Sequence, residues 1–213
     1  METFYHTTLR TRTPLGTLRL AASARGLAQL SFIKPNGETS DMPAAFSRSA
    51  GTSIVGSDRS PNASAEWIES PAKMKPYVAQ LEAYIAGKRR AFDFALDLRG
   101  TDFQKKCWNA LLAIPFGETR SYADIANSIG SAAGFRAVGQ ANHRNPVAIV
   151  VPCHRVITTA GTLGGYGGGL PTKLWLLSHE GVDLNQMNVS APASRSHAKE
   201  RSRSGPSAQL QLL

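Results

Sequence analysis

The sequence predicts an α/β domain followed by a mainly helical one, and three observations carry that division. Up to about residue 98, short apolar runs separated by turn residues surround a single helical segment. After Gly100, two helix-start signals follow in close succession, Thr101 with Gln104 and Ser121 with Asp124. Further on, Pro146 and Pro152 bracket the short run Ala148 to Val151, which reads as a buried strand that stops at Cys153.

Within the first part, Phe4 to Leu9 reads as a strand. Leu15 to Ala21 and Leu27 to Ile33 read as a hairpin around Ser23-Ala24-Arg25-Gly26. Residues 34–70 are rich in Ser, Ala, Pro, Gly and Asn, a composition that predicts a long mobile insertion. A helix is expected from roughly Ala72 to Ala86, with Val78, Leu81 and Ile85 on one face and Gly87 at its end. The alternation of Phe92, Phe94, Leu96 and Leu98 predicts one more strand. Residues 1–98 thus read as a scaffold domain that carries no catalytic constellation.

Residues 99–184 read as the second domain. Thr101 caps a helix through Phe103, Trp108, Leu111 and Leu112 that stops near Ile114-Pro115, and Cys107 within it reads as core. Ser121 opens a short helix that runs into Gly130, and a second follows from about Ala132 to Asn142. Such a pair reads as a helix-turn-helix, which binds DNA in some proteins and only packs in others. The small residues Ser131, Ala132, Ala133 and Gly134 at the second helix's start favour DNA, because they let backbone amides come close to phosphates or a narrow groove. Six glycines lie between Gly161 and Gly169, without the lysine and hydroxyl of a phosphate-binding loop, which excludes nucleotide hydrolysis of that type. Pro171 suits the first turn of a last helix that reaches Glu180 before Gly181. Residues 185–213 read as a disordered basic tail.

Across 213 residues, 24 Lys and Arg stand against 15 Asp and Glu, a net charge of +9 that favours a polyanionic partner. The excess is mild where the motifs lie: residues 101–184 carry seven basic residues against five acidic ones. Two cysteines, Cys107 and Cys153, are too few for a disulfide framework or a four-cysteine zinc site. No apolar run approaches membrane-spanning length, and the N-terminus lacks signal-peptide features, so a cytoplasmic protein is expected.

Cys153 stands beside His154, which can hold a proton, and Arg155, a fixed cation; both favour thiolate, the nucleophilic form. Adjacent residues in an extended segment point apart, so a bridging water between sulfur and imidazole is as good a reading as a direct dyad. Pro152-Cys153-His154-Arg155-Val156, with Asn145-Pro146 before it and Gly165-Tyr166-Gly167-Gly168-Gly169 and Leu176-Leu177-Ser178-His179-Glu180 after it, resembles the O6-alkylguanine-DNA alkyltransferase family. The similarity runs from about Gly100 to Leu184, with several spaced blocks in family order.

The resemblance implies a ribonuclease-H-like N-terminal domain and a minor-groove helix-turn-helix. It implies irreversible transfer of the alkyl group from O6-alkylguanine, and possibly O4-methylthymine, in double-stranded DNA to Cys153. It assigns catalytic parts to His154, Glu180 and Asn145, with Glu180 orienting His154 and the Asn145 amide bracing the segment before the nucleophile. It assigns lesion and DNA contacts to Tyr122, Arg136, Tyr166, Gly167 and Lys173. Arg136 takes the place of the extruded base, and Gly167 stands where many relatives have serine or alanine, so a contact there falls to its backbone N–H. No metal or other cofactor is implied, some relatives' N-terminal zinc having no cysteine counterpart here; a monomer is expected. Two other readings stay open: a non-catalytic lesion-binding protein, which would lack the cysteine, and a turnover cysteine hydrolase, which would need an oxyanion hole.

Overall fold

The computed structural model describes residues 1–34 and 65–187. Its first half is a four-stranded sheet of order β3-β2-β1-β4. Strands β1 (Thr3–Arg10), β2 (Thr17–Ser23) and β3 (Gly26–Ile33) run antiparallel, with Leu9 opposite Leu18 and Leu20 opposite Leu30. β4 (Glu66–Glu69) joins parallel to β1, so the segment expected to be a mobile insertion ends as a strand; residues 35–64 of it lie outside the described residues. At Gly26, φ is +137° and an added Cβ would stand 2.2 Å from the Ala95 carbonyl oxygen, so only glycine fits there.

Helix α1 (Pro71–Ile85) is capped by the Ser70 hydroxyl, packs against β1 and β2, and buries Met74, Leu81 and Tyr84. Then come α2 (Asp102–Leu112), β5 (Arg120–Ser121), α3 (Tyr122–Ser128), α4 (Phe135–His143), a 3-10 turn at Cys153–Arg155, β6 (Val156–Ile157) and α5 (Leu170–His179). Both capping boxes form as the sequence predicts: Thr101 with Gln104, and Ser121 with Asp124, each exchange two hydrogen bonds. The small residues Ser131 to Gly134 precede α4 and form a turn, rather than its first helical turn.

Two expected strands are not strands, for one shared reason. The open edge of β3 is divided between two extended segments, each of which gains a single bridge. Leu27 donates to Ala95 and accepts from Asp97, and Leu30 donates to Pro146 and accepts from Ala148. The alternation at 92–98 instead reflects rings covering α1, with Phe94 4.9 Å from Tyr77 and Phe92 5.5 Å from Tyr84. After Val147 the chain turns at once. The Val150 N–H bonds Ala148, and Ile149 sits at φ +71°, the rare strained γ-turn conformation, which costs on the order of 1–3 kcal/mol.

One hydrophobic core spans both halves. It runs from Leu18, Leu27 and Leu81 through Trp108 and Val138 to Val147, Val151 and Leu176. Cys107 is fully buried in it, and burial raises its thiol pKa, as suits an inert core cysteine. The expected tail begins with a short 3-10 turn, Leu184–Gln186, and residues 188–213 lie outside the described residues. Among the described residues no helix is long and apolar enough to cross a membrane.

Candidate active site

The turns after Val147 deliver Cys153, and the Asn145 amide builds them. Its oxygen accepts from the Val147 N–H at 3.0 Å, and its nitrogen donates to the Val151 carbonyl at 2.7 Å. The same nitrogen lies 3.2 Å from the Cys153 sulfur. Asn145 therefore braces the loop and also donates to the nucleophile, which an electron-rich thiolate accepts better than a thiol.

The 3-10 turn sends the two adjacent side chains apart. Cys153 is half-buried at the floor of a cleft of about 650 Å³, whereas His154 is wholly buried behind it. His154 Nε2 lies 3.0 Å from Glu180 Oε1. Burial pushes the His154 pKa down, and Glu180 only partly opposes this, so the ring is neutral. Burial raises the Glu180 carboxyl, but hydrogen bonds from His154 and Arg155 more than offset it and hold the group well below the usual carboxylate range. An ionised Glu180 only accepts, so Nε2 carries the proton and Nδ1 is left as a lone pair. Nδ1 is buried without a hydrogen-bond partner among the described residues.

Arg155 departs from the expectation that it would favour the thiolate. Its guanidinium turns away from sulfur and clamps Glu180, Nε to Oε2 at 2.7 Å and Nη2 to Oε1 at 2.9 Å, while Nη1 reaches the Ile114 carbonyl at 2.6 Å. Lys173 is a cation that does act on Cys153. Its ammonium is fully buried, donating to the carbonyls of Val156, at 2.5 Å, and Leu163. Burial lowers its pKa to about 8, against a smaller upward pull from Cys153. Lys173, expected among the DNA contacts, thus ties β6 to the glycine loop.

Tyr122, Cys153, Tyr166 and Gly167 line the cleft together. Burial, and after it the Cys153 charge, raise the Tyr122 pKa, so its phenol keeps its proton. Tyr166 packs edge-on against Phe32, with ring centres 5.7 Å apart. A Cβ on Gly168 would meet Phe32 at 2.8 Å and Tyr166 at 3.0 Å. Arg136 lies outside this lining, exposed at the start of α4 with its guanidinium 5.5 Å over the Phe135 ring, itself 46% exposed.

Sequence reasoning missed several cleft residues. Gly139, Gln140, Asn142 and His143 line it from α4, and Lys34 from the end of β3. Spacing could have found three of the four α4 residues, since Gly139, Gln140 and His143 fall at i+3, i+4 and i+7 from Arg136 on one helix face, whereas Asn142 does not. No group of three or more His, Cys, Asp or Glu among the described residues could hold a metal ion.

A thiol at the floor of an aromatic-walled cleft, with a neutral imidazole and its carboxylate sealed behind it, defines a protein that acts through a cysteine nucleophile. Residues 102–182 match the family model described as "6-O-methylguanine DNA methyltransferase, DNA binding domain", and residues 3–98 match that family's "ribonuclease-like domain". A methylated-DNA–protein-cysteine methyltransferase of Methanosarcina barkeri is 43% identical over 171 residues, 80% of this chain and 94% of that protein. The protein of that name from Mycobacterium bovis is 56% identical over 114 residues, 54% of this chain and 69% of that one. The crystal structure of Mycobacterium tuberculosis OGT in complex with DNA superposes with a TM-score of 0.66 at 42% identity, covering 84% of this chain and 92% of that one. The chain belongs to the methylated-DNA–protein-cysteine methyltransferase family.

Proposed function

We propose that this protein repairs duplex DNA by direct reversal, moving the alkyl group of O6-alkylguanine irreversibly onto Cys153. The observation that carries the reading is the placing of Cys153. Cys153 lines a cleft of about 650 Å³, roomy enough to admit a base, takes a hydrogen bond from Asn145, and is followed in the chain by His154 of the buried His154–Glu180 pair. DNA as the partner rests on the match to the DNA-binding domain and on the likeness to a DNA-bound structure.

In this mechanism α3 and α4 act as a helix-turn-helix against the minor groove, whose degenerate base code suits repair at any sequence. Arg136, with Phe135 beneath its guanidinium, fills the gap left by the extruded nucleotide. Tyr166 covers one face of the flipped base, Gly167 offers its N–H to the lesion oxygen, and the Tyr122 hydroxyl bonds purine N3. Neutral His154 takes the thiol proton through a water. The thiolate attacks the alkyl carbon, a C–S bond forms as the bond from that carbon to O6 breaks, and O6 stays on guanine with the bonding pair. The guanine anion takes up one proton, balancing the one that His154 removed from the thiol. Lys173 steadies the thiolate by its charge. The thioether has no good leaving group, so each molecule acts once, as a monomer, without metal or cofactor.

The test is to digest a duplex carrying one O6-methylguanine after incubation with sub-stoichiometric protein and to count restored guanines. The reading predicts one guanine per protein molecule and no further product with time. Continued turnover would point to a hydrolase and contradict it.

A further inference from the structure

We infer that Tyr84, on helix α1 of the N-terminal half, is a positioning residue of the transfer reaction, its hydroxyl holding Glu180 in the orientation and charge state that His154 requires. The inference rests on the alkyl-transfer reading above and extends its machinery into the half of the chain that carries no catalytic motif.

Tyr84 is fully buried, and its hydroxyl lies 2.7 Å from Glu180 Oε1. An ionised carboxylate only accepts, so the phenol is the donor. Burial, and then the Glu180 charge, raise the Tyr84 pKa, so the hydroxyl keeps the proton it donates. The grip has a second point: the Tyr84 carbonyl accepts from His179 Nε2 at 2.7 Å, one residue before Glu180. The C-terminal end of α5 is thereby fixed to α1 through both side chain and backbone.

Oε1 takes three donors, Tyr84, His154 Nε2 and Arg155 Nη2, while Oε2 takes Arg155 Nε and, at 3.4 Å, the Gly117 N–H. The charged and titratable groups around the pair are thus Arg155 from the 3-10 turn, Lys173 and His179 from α5, Tyr84 from α1 and Cys153 itself. Each donor shares the carboxylate charge. Removing the phenol leaves more of that charge on His154, stabilises imidazolium, and raises the pH below which the ring is protonated and lost as the base.

The experiment compares wild type with Tyr84→Phe, which keeps the ring contacts to Phe92, Phe116 and His179. The rate of alkyl transfer from an O6-methylguanine duplex is followed against pH, and the His154 ring is titrated by nitrogen-15 NMR in the unalkylated protein. The acid limb of the rate profile should move up by about half to one pH unit, with the rates converging above it, and the His154 titration should move the same way. An unmoved limb and an unmoved His154 titration overturn the inference, whatever the melting temperature does. If Tyr84→Phe does not fold, 3-fluorotyrosine at position 84, a stronger donor of the same shape, should move both readouts to lower pH, and no movement overturns the claim. If wild type transfers no alkyl group, the reaction reading fails by itself, and the His154 titration still decides whether Tyr84 sets that pair.

Discussion

At the scale of single residues, the site depends on a few side chains that each serve two partners. Asn145 satisfies Val147 and Val151 while touching the Cys153 sulfur. Asn145→Ala strands a buried N–H and a buried carbonyl and should cost about 1–3 kcal/mol of stability, read from the urea midpoint, and slow transfer as well. A loss within about 0.5 kcal/mol, the range of an ordinary surface change, would show that the loop holds itself.

The buried pair also predicts how stability depends on pH. His154 has a folded pKa below its ordinary 6.5, and Glu180 one below its ordinary 4.5. In both cases the unfolded chain binds the proton more readily, so stability is full above these ordinary values and falls as pH drops. As pH falls through about 6.5 toward 5 the unfolding free energy should decline, with a slope of at most about 1.4 kcal/mol per pH unit from His154, and Glu180 adds to the loss below about pH 4.5. A flat urea midpoint from pH 7 to 5 would mean that His154 is charged when folded.

Much of the site was legible at this scale. Cys153, His154, Asn145 and Glu180 are marked by their motif, and the structure brings all four together. The directions of Arg155 and Lys173 were not legible. A 3-10 turn rotates each successive residue to a new side, so adjacency to Cys153 did not say which way Arg155 points.

At the scale of elements, what is local to the chain was readable and what depends on partners was not. Both capping boxes concern residues three apart, and both form. The segments 92–98 and 147–151 have strand-like patterns, yet each meets only part of the β3 edge and gains one bridge, at Leu96 and at Val147. Strand pairing is decided by the partner, and alternation cannot show how an edge is shared.

The glycine loop belongs to the same scale. Its chain must pass Phe32 and Tyr166 more closely than any Cβ allows at Gly168. Gly168→Ala should displace Tyr166 and so lower the transfer rate at least tenfold, a change of about 1.4 kcal/mol in the barrier, with a smaller effect on the urea midpoint. An unchanged rate would remove the loop from the account of the pocket.

At the scale of the whole molecule, the division into scaffold and catalytic halves is one of sequence rather than of packing. The core is continuous from the sheet to α5, and the Tyr84–Glu180 bond joins positions ninety-six residues apart. No local pattern announces such a contact, because Tyr84 reads as one more aromatic on an apolar helix face. The net charge of +9 gives the molecule a general attraction to polyanions.

The central claim is that Cys153 receives the alkyl group and keeps it. Intact-protein mass spectrometry after mixing with an excess of duplex bearing one O6-methylguanine, followed by peptide mapping, tests it directly. The account predicts a single added methylene on the peptide containing Cys153, and none in Cys153→Ala. An unchanged mass in folded wild-type protein that still binds the lesion duplex, or the methylene on another residue, would contradict it.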